Sequence, residues 1–250
     1  DYLTPYVWGD YRIVIPPENF PYGGFESPLL TYASPTRLTG DDPSIDFIIH
    51  EMAHFWVGNL VTHNSWLNVW IKESFATFIE RKVSKIMKGE TYYKTFSKLG
   101  QESMKEAVKA LGSDNPLTSL YPKSDNITHA DEILNAVQAE KGYEFLVYIE
   151  QLIGENIFED FIKSFIYEFE YKSIGTDDFK DFLTDFIYDR FESTTARGIY
   201  NNINFEVWLT EPGLPPEEID FTTEEYRNAI SVAEEYIINN GSKTPTGYYD

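Results

Sequence analysis

Apolar positions recur with a helical period from about residue 42 almost to the end, whereas the first 36 residues alternate over short runs broken by glycine and proline. The opening segment holds Tyr11-Arg12-Ile13-Val14-Ile15 and reads as a small sheet with turns. Asp42-Pro43 starts the first helix, with Asp as the cap and Pro at the first helical position, and Gly58 stops it. A second helix is expected from about 65 to 88, ending at Gly89, with further helices near 92–111, 131–153, 155–171 and 176–191. Glu211-Pro212-Gly213-Leu214-Pro215-Pro216 has the composition of a linker, about 223–239 forms one amphipathic helix, and 241–250 is expected to be a disordered tail. The expected class is α+β, mostly helical, with a small N-terminal sheet. The expected division is a main domain over 1–210, a Pro-rich linker over 211–222, and the start of a truncated helical region over 223–250.

One stretch breaks its own pattern. Residues 47–57 read Phe-Ile-Ile-His-Glu-Met-Ala-His-Phe-Trp-Val, apolar around the whole helix, so the helix is expected to be buried. His50, Glu51 and His54 are the exceptions, and burying two imidazoles and a carboxylate without partners costs several kcal/mol. His50 and His54 lie one turn apart on one face, so both rings can converge on a single cation, with Glu51 beside them to touch a water on it. On the next helix Trp66, Trp70, Glu73, Thr77 and Glu80 form a stripe at helical spacing, so Glu73 also faces inward. Two His and one carboxylate leave a fourth position open, as a catalytic zinc requires, and one zinc per chain is expected. Glu80 either supports this centre or makes an ordinary helix-surface pair with Arg81 or a lysine.

Composition narrows the partners. A net charge of −21 argues against nucleic acid or an anionic membrane surface, and a negative potential favours a cationic ligand such as a peptide amine. No apolar run is long enough to span a membrane, and no signal peptide is visible. The chain starts at Asp1 without a Met, which fits a fragment or processed product. With no cysteine, disulfides, thiolate metal sites and a cysteine nucleophile are excluded, and a cytoplasmic location fits. Asn126 and Asn240 carry sequons at the frequency chance supplies. His63 and His129 fall in expected loops and read as surface residues.

His50-Glu51-x-x-His54, eighteen residues and then Glu73 resemble the M1 family of zinc aminopeptidases, which are gluzincins. Pro21-Tyr22-Gly23-Gly24-Phe25-Glu26-Ser27-Pro28 is similar to that family's Gly-x-Met-Glu-Asn exopeptidase motif. Trp56-x-Gly58-Asn59-Leu60-Val61-Thr62 and Trp208-Leu209-x-x-Pro212-Gly213-Leu214-Pro215-Pro216 resemble its leukotriene A4 hydrolase and aminopeptidase B branch, so the likeness covers about 2–216. It implies a thermolysin-like zinc metallopeptidase catalytic domain, with the family's preceding β-rich domain and following helical domain absent from these residues. It also implies a peptide substrate with a free N-terminus. Glu26 would bind that amine, Gly23 and Gly24 would let the substrate backbone approach, and Glu51 would act as general base.

The sequence also departs from the family. The family's tyrosine before Glu-Lys-Gly, which donates to the oxyanion, corresponds here to Ala139, and a second tyrosine of the branch corresponds to Leu134. Tyr143, one turn further on, either substitutes for it or packs in the core. Asp131 matches an acidic residue that the branch uses to direct water, or it is simply a helix cap. Aromatic residues near Trp66 and Phe25 are candidates to line an apolar side-chain pocket. Three readings are therefore open: an aminopeptidase slowed at Ala139, a zinc-binding pseudoenzyme that holds peptide N-termini without turnover, or a deliberately altered, inactivated chain.

Overall fold

The computed structural model describes residues 3–122, 129 and 132–238. Asp131, Asn126, Asn240 and the 241–250 tail lie outside the described residues. The expected sheet is present: β1 (Arg12–Val14), β2 (Gly24–Ser27) and β3 (Leu30–Ala33) lie in the order β1-β3-β2. β1 runs parallel to β3 and β2 antiparallel to it, with Gly24 opposite Ala33 and Glu26 opposite Thr31. Phe25 is 46% exposed. Because successive strand residues face opposite sides, Gly24 and Glu26 share the inward face.

Helices follow. α1 (Asp42–Ala53) begins one residue earlier than the Asp-Pro pattern implies. Asp41 is the cap, its side chain accepting from the Ser44 amide, and Pro43 takes the second helical position, where a missing N–H also costs nothing. The helix does not continue to Gly58. It stops at Ala53, and residues 54–58 turn so that the Gly58 N–H donates to Val61 O at 2.8 Å. A short strand β4 (Val61–His63) then precedes α2 (Val69–Lys88) and α3 (Glu90–Leu111), separated by Gly89 at φ 91°.

α4 (Ala136–Ile153) starts later than expected because Asn135 caps it, its side chain accepting from the Val137 amide. α5 (Glu155–Phe169), β5 (Lys172–Ile174) and α6 (Thr176–Arg190) come next, with β5 pairing parallel to β4. That pairing, α7 (Ser193–Ile203) and α8 (Phe205–Thr210) were not visible in the hydrophobic pattern. Three-residue strands and a six-residue helix are too short for a period to show. α9 (Glu224–Ile238) buries no residue.

α2 is the central helix, packed chiefly between α1 and α4. Its Trp70, Phe75 and Phe78 enter a continuous core with Phe145 of α4, Phe165 of α5 and Phe179 of α6. α1 is only partly buried, contrary to its all-apolar pattern. Its outer residues Ile49 and Met52, with Trp56 just beyond its end, line an open apolar recess of about 450 Å³ with Leu3, Pro5 and Tyr6. Residues 211–222 form no helix or strand, yet they lie against the core. The Lys141 ammonium donates to Glu211 O and Gly213 O, and Ile219 and Phe221 are buried. Among the described residues no helix is long and apolar enough to cross a membrane.

Candidate metal centre

α1 and α2 are locked together by a buried polar clamp. Asp46, 1% exposed, accepts from Ser84 Oγ at 2.7 Å, from Lys88 Nζ at 2.9 Å and from the Tyr92 hydroxyl. One turn further along α1 stands His50, and at its end His54, whose amide still bonds to His50 O at 3.3 Å. α2 brings Glu73 opposite them. Glu73 Oε2 lies 3.7 Å from His50 Nε2 and 3.9 Å from His54 Nε2, and the three ligand atoms all fall within 4.8 Å of one another.

These distances fit a metal. They are too long for hydrogen bonds, and donors about 2.0–2.1 Å from a tetrahedral zinc stand about 3.3 Å apart, so a small inward closure would complete the shell. The far ring nitrogens are engaged elsewhere, which aims both Nε2 atoms inward: His50 Nδ1 contacts Glu80 Oε2 at 3.3 Å and His54 Nδ1 contacts Val57 O at 3.2 Å. Glu51 is 6% exposed and its Oε2 has no hydrogen-bond partner among the described residues, as expected of a carboxylate that meets a water at the cation.

The electrostatics follow from burial among carboxylates. Burial pushes the Glu51 carboxyl up to about 7, with His50 working against it and Glu26 and Glu73 adding to it. Burial also pushes His54 down to about 4. Burial pulls His50 down as well, but Glu73 and Glu80 outweigh it and hold that imidazole well above its ordinary value. Glu73 stays far below the carboxylate range, since His50, His54 and Lys72 overcome the effect of burial. A divalent cation among these ligands would take up the field that Glu73 now exerts on the two rings.

The strand edge closes the site. A Cβ on Gly24 would stand 2.1 Å from Glu51 Oε1 and 2.5 Å from Phe47, so glycine here admits the Glu51 carboxylate and the α1 face against β2. A Cβ on Gly23 would meet Arg37 Nε at 2.8 Å. Glu26 points at α2, where its Oε1 accepts from Lys72 Nζ at 2.5 Å. Burial opposes ionisation of Glu26, but His54 and Lys72 hold its pKa below the ordinary value.

Other candidates fall elsewhere. Tyr143 is 1% exposed, its hydroxyl paired with Ser97 Oγ at 2.8 Å and Tyr93 at 3.1 Å and its ring stacked on Phe221, so it packs in the core beside α3 rather than among the ligands. Glu80 contacts His50, and Arg81 instead pairs with Glu140 at 2.7 Å. Ala139, half-buried, precedes Glu140, whose carboxyl feels both Glu80 and His50. Leu134, Phe25 and Trp66 are exposed, and Trp66 meets the His63 ring edge-on at 5.7 Å. Two residues were missed. Lys72 was visible only as a lysine amid apolar neighbours one position before Glu73. His63 reads from the sequence as a surface residue, yet its Nδ1 is buried without a partner among the described residues and it sits in the field of Lys72, Glu26 and Glu73. His129 is exposed.

Residues 1–199 match the Peptidase family M1 domain. The chain belongs to peptidase family M1. It is similar to leukotriene A-4 hydrolase of Xenopus laevis, 36% identical over 217 residues, which are 86% of this chain and 34% of that protein. It is likewise 36% identical over 241 residues to leucine aminopeptidase 2 of Aspergillus clavatus, 96% of this chain and 38% of that protein. The solved structure of yeast LTA4 hydrolase in complex with bestatin superposes with a TM-score of 0.87 at 30% identity, covering 98% of this chain and 38% of that one. The chain thus spans little more than a third of the length of these relatives, and it has the mostly helical M1 catalytic fold with a small sheet.

Proposed function

We propose that this chain carries the catalytic centre of a zinc aminopeptidase, which removes N-terminal residues from peptides by activating water. The observation that carries the reading is the convergence of His50 Nε2, His54 Nε2 and Glu73 Oε2, with the buried Glu51 Oε2 nearby and without a hydrogen-bond partner among the described residues. Zinc held by His50, His54 and Glu73 would supply a Lewis acid able to polarise a carbonyl and acidify a water. Glu51, buried beside the three ligands with a free Oε2 among the described residues, would be the group that accepts a proton there and returns it to the leaving amine. Glu26, on the same strand face as Gly24, is the partner of the substrate's α-ammonium. Glu80 orients His50 through Nδ1.

Ala139 stands in the first turn of α4 and, in the reading proposed here, takes the position at which the M1 pattern calls for a tyrosine that donates to the oxyanion. Loss of one such donor costs about 10²–10³ in turnover, so the proposed enzyme is slow rather than inert. The test compares hydrolysis of an aminoacyl chromogenic amide by zinc-loaded chain, chelator-treated chain and the Ala139→Tyr variant. The expected result is slow, chelator-sensitive hydrolysis that Ala139→Tyr raises by about 10²–10³. No chelator-sensitive hydrolysis in either zinc-loaded protein overturns the enzymatic reading and leaves a zinc-holding binder of peptide N-termini.

A further inference from the structure

Lys72 brings a second cation into the centre, and zinc chemistry has no need of it. Its Nζ lies 2.5 Å from Glu26 Oε1 and 3.4 Å from Glu73 Oε1. Glu73 is thereby divided, with Oε2 facing the two imidazoles and Oε1 facing the lysine. The Lys72 and Glu26 side chains are only 10% and 13% exposed, so this contact is largely shielded from water. The lysine is anchored from both ends, by its backbone in the first turn of α2 and by two carboxylates at its tip.

An alkylammonium on Glu26 is what a peptide's own N-terminus would supply. We propose that Lys72 is a specificity-determining residue, an internal ammonium that occupies the Glu26 carboxylate and weakens the hold of the cleft on a free α-amine. The inference rests on the reading of Glu26 as the partner of that amine. A carboxylate has lone pairs enough for two donors, so the α-ammonium is not excluded, but it must share Glu26 with a like charge in a shielded site. Lys72 is also tethered, so it competes at a high effective concentration. A peptide whose N-terminus is acylated brings no charge and meets no repulsion. The cleft therefore distinguishes free from N-acylated peptides poorly, and N-acylated peptides join its ligand class.

Leucinol and N-acetylleucinol are suitable probes, since neither has an amide at its carboxyl end to be cleaved. Calorimetric binding would be measured on the zinc-loaded full chain, with zinc content checked by elemental analysis. The wild type should bind the two within about threefold of each other, and Lys72→Gln should tighten leucinol about tenfold or more while N-acetylleucinol barely changes. Lys72→Arg, which keeps the charge, should behave as wild type, and Glu26→Gln added to Lys72→Gln should erase the gain. If Lys72→Gln fails to tighten leucinol while Glu26→Gln alone still weakens it, this proposal falls and the Glu26 reading stands. If the gain persists in the double variant, Glu26 is not the amine's partner and both fall. A second measurement needs no variant: in ¹⁵N-lysine-labelled wild type, the Lys72 ammonium resonance should shift with leucinol and not with N-acetylleucinol. An unmoved resonance overturns the proposal.

Discussion

At the scale of single residues, the centre depends on which ring nitrogen of each histidine is tied down. Val57 O is a backbone acceptor and cannot be removed by substitution, so His54 is held regardless of side-chain changes nearby. His50 relies instead on Glu80. Glu80→Gln should weaken zinc binding by about 10–100-fold, measured by competition with a chromophoric chelator, while the fold is retained. An unchanged affinity would mean that the 3.3 Å contact does not orient the ring. His50, Glu51, His54 and Glu73 were legible because their identities and spacing carry the chemistry on their own. Lys72 and His63 were not, because their significance lies in a carboxylate from a different element. Tyr143 illustrates the opposite failing. Helical spacing put it on the face of position 139, but Ser97 and Tyr93 on α3 claim its hydroxyl.

At the scale of elements, the ligand set requires α1 and α2 to keep one relative position. The Asp46 clamp provides that constraint one turn from His50. Asp46→Ala would remove the acceptor of Ser84 and Tyr92 while leaving Lys88 its contact with Asp42, and should cost about 2 kcal/mol of unfolding free energy. Denaturant melts would measure the loss, and zinc affinity should fall with it. A loss under 1 kcal/mol would show that the apolar contacts alone hold the pair in register. The long helices were readable from their periods and caps. Their ends moved by several residues where a local hydrogen bond competed, as Asn135 does at α4 and the Gly58–Val61 turn does after α1.

For the whole molecule, pH enters through a deeply buried carboxyl whose contacts with the Gln101 side chain and the Ile219 backbone do not offset its burial. Glu144, in the interior of α4, is 1% exposed and its Oε1 has no hydrogen-bond partner among the described residues. Burial pushes its pKa up to about 7 from a model-peptide value of 4.5. The folded chain therefore holds this proton more tightly than the unfolded chain does, so the stabilising contribution is full below about pH 4.5 and is lost as pH rises through 7. Glu144→Gln removes that dependence. Relative to wild type it should be near neutral at pH 4 and more stable at pH 8 by on the order of 3 kcal/mol, read from unfolding curves across the range. Parallel stability profiles would sink the prediction.

The class of fold, the helical bulk of the chain, the family and the candidate ligands with their candidate base were all legible in the linear pattern, because spacing along a helix is a local property that backbone geometry converts directly into a shared face. How those faces meet is set by packing between elements. The register of β2 turns Glu26 towards α2 and sets Gly24 against Glu51, the clamp fixes α1 on α2, and a lysine one residue from a ligand becomes the partner of a carboxylate 46 residues away. Such pairings depend on contacts between distant segments, and no local period records them.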